Sequence, residues 1–433
     1  MIKKLYKFPN GATLIYRKDK RMNYSAVEVG FICGSIKNEK NGVAHMLEHM
    51  LFKKTKNMTL EDLDRERSII TTINASTGRN SIFVHFYKTN RLFNRGLKLA
   101  KEMLVNVEFD EDSLETEKNV VKEEYKRKID KLNHDGSMQL SYNFTNTLMP
   151  EQTLGNIEDI DALTVQDLEN YKSKHFTTNN FVFAYCGNYS FSKVKRIVEK
   201  EFLKDLRQDE ESKNTPEMTM ITGEPNLFVH QNDDRQLKVL CAFRCDFEKL
   251  NYFYEDMASL LHRYMSKGAN GLRNKLRNEG LVYASSNGMS VFDNEKDNAF
   301  YIFEFSTGDT EKLKRCFEVT KEAIESIIKG EITDEEFEDM VSNKIYSYDE
   351  MHAPPKEIRA AGNVREYIGH GKLREIVRVK KKVKRLKSLT KADFIKFASD
   401  VFKSKEEPYV VIMSEKSSNE LMAYEDIKKI FGV

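Results

Sequence analysis

Four stretches in the first half of the chain carry the hydrophobic spacing of β-strands. They are Ala12–Asp19 (ATLIYRKD), Ser25–Gly34 (SAVEVGFICG), Ser81–Thr89 (SIFVHFYKT) and Asn180–Asn188 (NFVFAYCGN). Between them the spacing turns helical, and it predicts helices over Glu39–Lys56, Asn90–Val105 and Asp112–Asp130. Strands and helices in this order predict an α+β fold with antiparallel pairing.

The pattern fails around Arg207–Glu224. RQDEESKNTPEMTMITGE is polar and acidic and carries Pro216, which reads as an interdomain linker. The second half then echoes the first. At an offset of 226, Leu163 falls on Leu389, Thr164 on Thr390, Asp167 on Asp393, Tyr171 on Phe397 and Phe176 on Phe402. In both copies the Thr-x-x-Asp start has the form of a capping box, its acid reaching back to the free N–H groups of a helix. Two homologous halves account for this echo. The expected organisation is a domain over residues 1–210, a linker over 211–224 and a second domain over 225–433. Lys372–Ser388 is strongly basic. With Ile376, Val379, Val383 and Leu386 at helical spacing, it reads as a solvated helix with an apolar seam.

Composition narrows the function classes. A chain of 433 residues is too long for one hydrophobic core. Seventy Lys plus Arg against 68 Asp plus Glu leave a net charge of +2, which does not argue for a nucleic-acid protein, and no nucleic-acid partner is expected. The five cysteines, Cys33, Cys186, Cys241, Cys245 and Cys316, have no framework spacing and read as reduced thiols of a cytoplasmic-type compartment. Cys241 and Cys245 share one face of a strand-like segment, and no second pair completes a zinc site. The N-terminus is basic but no apolar run follows it, and no stretch nears the ~20 apolar residues of a membrane span. The expectation is a cytoplasmic protein without a membrane partner.

The chemistry concentrates in NGVAHMLEHMLFKKT, Asn41–Thr55. His45 and His49 stand four apart, on one face of a helix, so two imidazoles can aim at one point. Glu48 sits beside them, close enough to reach a water on a bound metal. This is the inverted form of the H-E-x-x-H arrangement. Tetrahedral zinc needs a third protein ligand and an open position. The candidates lie in Leu114–Asp130, where Leu114, Glu117, Val121 and Glu124 recur at i, i+3, i+7 and i+10 on one face and Glu123 points elsewhere. Spacing alone leaves Glu117 and Glu124 as equal candidates.

Asn41–Thr55 resembles the signature of the pitrilysin and mitochondrial-processing-peptidase family of inverted zinc peptidases. Glu117–Glu124 (EKNVVKEE) resembles the helix that carries that family's third ligand. The resemblance implies zinc, one ion per chain, on His45, His49 and Glu124, with Glu48 as catalytic base and Glu117 as an acid orienting a ligand from behind. NASTGRNSIFVHFYKT resembles the family's edge strand, on which substrate backbone pairs, which implicates Asn74 and Ala75. GLRNKLRNEGLVYASS resembles the arginine–tyrosine segment of the family's inactive repeat, which implicates Arg277 and Tyr283 in binding the substrate carbonyl. The second half holds no His-x-x-Glu-His of its own. The implied architecture is two homologous αβ domains of mainly antiparallel sheet flanked by helices. Two chains would close like a clamshell, as a homodimer or as a heterodimer with a related chain. The implied activity is zinc-dependent endoproteolysis of short or unfolded peptides held as an extended strand. The alternatives are the catalytic subunit of a two-component peptide-maturation protease and a non-catalytic structural relative.

Overall fold

The strands β1 (Ile2–Lys7), β2 (Thr13–Lys18), β3 (Tyr24–Phe31), β4 (Asn74–Thr77), β5 (Ile82–Thr89) and β6 (Phe181–Gly187) form one sheet in the order β1-β2-β6-β3-β5-β4. A second sheet holds β7 (Leu227–Gln231), β8 (Leu237–Arg244), β9 (Ser285–Val291), β10 (Ala299–Thr307) and β11 (Tyr409–Ser414) in the order β7-β11-β8-β10-β9. In each sheet one pair is parallel, β2 with β6 and β7 with β11, and every other pair is antiparallel. With β1 set aside, the parallel pair opens both orders and three antiparallel pairings follow it, so the repeat read from the sequence is a repeat of topology. The structure is a computed structural model that describes residues 2–20, 22–145, 153–208, 223–245, 252–282, 284–291, 299–308, 310–350, 364, 367, 379–402 and 407–433.

The four expected strands of the first half are β2, β3, β5 and β6. β1 is an addition to them. IKKLYK has lysines at three of six positions and pairs only with β2, and lysine on an edge strand blocks further pairing. Among the helices, α1 spans Val43–Met50, α2 Leu60–Ile69, α3 Asn90–Leu104 and α4 Glu111–Leu132. The expected helix over Glu39–Lys56 is therefore cut to eight residues. Gly42 sets its start. With φ at 80° it lies in the left-handed region and breaks the helical path before Val43. Glycine has no side chain to cap the helix, and Asn38 Oδ1 accepts from the Ala44 N–H instead, at 3.2 Å. A Cβ at residue 42 would meet the Leu154 carbonyl oxygen at 2.2 Å. Gly42→Ala is expected to destabilise the fold by about 1–3 kcal/mol, the range for strained backbone, as a lower urea midpoint at unchanged slope.

Both repeated caps form as read. Thr164 opens helix Val165–His175, and Asp167 accepts from its N–H and hydroxyl at 2.9 and 2.7 Å. Thr390 and Asp393 repeat this at 2.9 and 2.7 Å before helix Lys391–Phe402. The basic stretch is helical over Val379–Lys387 with Leu386 buried, and its first part, residues 372–378, lies outside the described residues. So does most of the expected linker, residues 211–222.

Contacts divide the chain into two compact units. The first is Met1–Ile129 with Leu148–Glu217 and Ala353–Ile376; the second is Asp130–Thr147 with Met218–His352 and Val377–Val433. In the first unit, α1, α3 and helix Val165–His175 cover one face of the sheet with a core that includes Met46, Leu47, Leu97, Leu168 and Phe183. The other face buries Ile15, Phe83, Val182 and Ala184 against Val364 and Tyr367. In the second unit, α5 (Gly136–Thr145) places Leu140 on Leu240, Phe300, Tyr409 and Val411. Covered on both faces, β6 and β11 are buried along their whole length and read as continuous apolar runs rather than alternating ones.

All five cysteines are buried thiols outside any disulfide. Burial pushes the thiols of Cys33 and Cys316 up to about 12, far from the reactive thiolate. Ellman's reagent at pH 8 is expected to find no thiol in the folded chain and all five after denaturation; rapid native labelling would contradict this burial. Among the described residues, no helix is long and apolar enough to cross a membrane.

Candidate metal centre

Helix α1 is apolar nearly all round. Val43, Ala44, Met46, Leu47 and Met50 are buried in the first unit's core. Its polar residues, His45, Glu48 and His49, make one stripe at i, i+3 and i+4. The core anchors the helix, so these three side chains have fixed origins.

Helix α4 presents the opposing stripe. Leu114, Glu117 and Val121 are 0%, 5% and 1% exposed, as the i, i+3, i+7 spacing requires, and Glu124 continues the row half-buried. Glu123 points to solvent and pairs with Lys126 at 2.7 Å. Glu124 Oε2 lies 3.7 Å from His45 Nε2 and 3.4 Å from His49 Nε2. Glu117 Oε2 instead meets the other nitrogen of His49, Nδ1, at 2.8 Å. The structure thus separates the two glutamates that spacing left equal. Glu124 faces the point on which both imidazoles converge, and Glu117 stands behind His49.

One ligand atom from each of His45, His49 and Glu124 falls within 4.8 Å of the others, and this is the one such trio of His, Cys, Asp or Glu among the described residues. A zinc tetrahedron with arms of about 2.0–2.2 Å has edges of about 3.3–3.6 Å; the 3.4 Å separation falls within that range and the 3.7 Å one just above it. Two imidazoles and a carboxylate also form a donor set typical of zinc with an open fourth position. His45 Nδ1 is buried without a hydrogen-bond partner, which leaves Nε2 as the nitrogen that has a polar counterpart.

The electrostatics of the trio favour a cation. Burial pushes His45 down to about 3, so that imidazole is neutral and offers a lone pair. Burial also pulls His49 down, but hydrogen bonds to Glu117 and Glu124 outweigh it and hold His49 up at about 9. The hydrogen bond to His49, followed by that to Lys128, holds the Glu124 carboxyl far below the usual carboxylate range. Burial raises Glu117, yet its bonds to His49 and Lys53 win and keep it below its ordinary value. Both carboxylates are therefore ionised and draw positive charge to His49. Glu48 behaves differently. Burial raises it above an ordinary glutamate, against the opposing pull of His49 and of hydrogen bonds from the Thr77 hydroxyl and main chain.

β4 packs beside α1 and forms the outer edge of its sheet. Asn74 is exposed, and Ala75 pairs with Val84 on the inner side. Arg277 lies in the second unit at the end of helix Leu272–Asn278 and is exposed; Tyr283 lies outside the described residues. Three further residues escaped the sequence reading: Thr77 beside Glu48, Lys53 beside Glu117 and Lys128 beside Glu124. The two lysines carried a signal, each standing four residues after a candidate ligand, His49 and Glu124.

Comparison with known proteins places this geometry in a family. The family model described as insulinase (peptidase family M16) matches residues 13–156, and that described as peptidase M16 inactive domain matches residues 162–344. A protein of Arabidopsis thaliana named probable mitochondrial-processing peptidase subunit beta is 27% identical over 263 residues, 58% of this chain and 48% of that protein. The chain thus spans about half the length of that relative. A Helicobacter pylori protein named zinc protease PqqE is 25% identical over 334 residues, 73% of this chain and 72% of its own length. The crystal structure of a protease from Helicobacter pylori superposes with a TM-score of 0.73 at 20% identity, covering 95% of this chain and 99% of that one, a likeness of fold. With two family models covering about three quarters of its length, the chain belongs to the pitrilysin-type peptidase family M16.

Proposed function

We propose that the chain is a zinc-dependent endopeptidase acting on short or unfolded peptides. The observation that carries this reading is the convergence of His45, His49 and Glu124 within 4.8 Å, on the same helical stripe as Glu48. A zinc ion held by these three residues would polarise a peptide carbonyl and lower the pKa of water to about 7.

The remaining work falls to the chain's own side chains. Glu48 takes a proton from the attacking water and delivers it to the leaving amine nitrogen. Burial raises the Glu48 carboxyl above an ordinary glutamate, which makes its carboxylate a stronger base toward the water proton. Glu117 accepts the Nδ1 proton of His49, which fixes the tautomer with its lone pair on Nε2. The outer edge of β4 at Asn74 and Ala75 pairs with the substrate backbone, so the peptide must enter extended. Folded substrates cannot meet that demand. Arg277 and Tyr283 are proposed as donors to the substrate carbonyl, in a homodimer that closes around the peptide.

The test is incubation with a mixture of unstructured peptides, read by mass spectrometry. Internal cleavage that stops on chelation and returns with zinc is expected. A chain that binds no zinc overturns the reading. The Arabidopsis relative is named as a subunit, which supports a second reading as the catalytic half of a two-chain protease. Zinc bound without cleavage, in a chain that elutes as a monomer, would favour it.

A further inference from the structure

The stripe on α1 continues past the helix end. His45, His49 and Lys53 stand at i, i+4 and i+8, and Lys53 lies on the turn that follows Met50, where its N–H still bonds the Met50 carbonyl. The opposing stripe on α4 runs the other way. Glu124 faces His45 and His49, while Glu117, two turns earlier, faces His49 and Lys53. Lys53 Nζ lies 2.5 Å from Glu117 Oε1, and Glu117 Oε2 lies 2.8 Å from His49 Nδ1. The lysine and the imidazole thus take one oxygen each of a carboxylate that is 5% exposed.

We propose that Lys53 is a positioning residue that acts through Glu117 to hold His49 in the orientation that binds zinc. The inference rests on the zinc reading of the His45–His49–Glu124 trio. Its physical basis is the demand that a buried carboxylate places on its surroundings. An ionised carboxylate out of water needs a cation or several hydrogen bonds, and without them it protonates or swings away. Lys53 supplies that cation on the side away from His49. With Oε1 held there, the carboxylate has one rotamer, and in it Oε2 lies against Nδ1. The imidazole is then fixed in ring angle and in tautomer, with Nε2 directed at the partners it shares with His45. A bond to a ligand's far nitrogen of this kind typically contributes 10–100-fold to metal affinity. Lys53 also offsets one of the negative charges that Glu48, Glu117 and Glu124 bring to a small volume. A plain tether between the end of α1 and α4 would use the same ion pair but would leave the affinity for zinc alone.

The experiment measures zinc affinity by competition with a chromophoric chelator, for wild type, Lys53→Met, Lys53→Arg, Glu117→Gln and the double variant Lys53→Met/Glu117→Gln. Urea unfolding of the zinc-free proteins runs in parallel. Lys53→Met is expected to bind zinc about 10-fold more weakly, with Lys53→Arg recovering most of the loss. The double variant is expected to match Glu117→Gln alone, because a residue that acts through another adds nothing once that other is gone. Unchanged zinc affinity in Lys53→Met, with or without a lower urea midpoint, overturns the proposal. So does a double variant whose loss is the product of the two single losses. Wild type that binds no zinc sinks the zinc reading and this inference together; wild type that binds zinc with Lys53→Met its equal sinks this inference alone.

Discussion

Glu48→Gln is expected to lower kcat for peptide hydrolysis by about 10²–10⁴-fold, the range that general acid–base catalysis supplies. Zinc content is expected to stay that of wild type. The substitution keeps the side chain's shape and one oxygen that can accept from Thr77, and it removes the charge and the ability to take a proton. Glu48 shares the stripe of His45 and His49 without belonging to the trio that converges, so the metal set is intact in the variant. A loss in kcat with little change in KM would mark a group needed only in the transition state. Cleavage at the wild-type rate would remove Glu48 from the chemistry.

Glu124→Gln is expected to have the second large effect, reducing zinc retained after gel filtration from about one ion per chain to near none, with activity lost alongside. Three protein ligands leave no reserve. With two imidazoles alone the site lacks both its anionic ligand and the charge that neutralises the ion. Glu123→Gln, one residue earlier on the same helix, is the control. Glu123 is exposed and pairs with Lys126, so zinc and activity are expected to be unchanged. Equal behaviour of the two variants would mean that α4 does not present the face described for it.

Much of this site was legible in the sequence because helical geometry is local. The spacing of His45, Glu48 and His49 already fixes one stripe, and Leu114 and Val121 mark the buried side of α4 on which Glu117 and Glu124 lie. The choice between the two glutamates needed the fold. Both lie on the same row, and only the opposite running of the α1 and α4 stripes sets Glu124 against two imidazoles and Glu117 against Nδ1. The length of α1 was over-read because apolar spacing continues through Leu51 and Phe52, whereas Gly42 and the turn after Met50 end the helix by backbone conformation. β1 went unread because its lysines mask the alternation, an edge strand having only one neighbour to satisfy. α5 and its placement on the second sheet were also out of reach, since the sequence reading covers no helix at Gly136–Thr145 and periodicity does not name the partner against which Leu140 packs. Lys53 was visible as a lysine four residues after His49, a position that in most helices is merely solvated.

The proposed activity requires that His45, His49 and Glu124 together hold zinc. X-ray absorption at the zinc edge of the purified wild-type chain tests it most directly. About one zinc per chain is expected, in a shell of nitrogen and oxygen at about 2.0–2.1 Å with the outer scattering of two imidazoles. Loss of that signature in Glu124→Gln is part of the same prediction. A sulfur shell at about 2.3 Å, or a chain that carries no zinc, would contradict it.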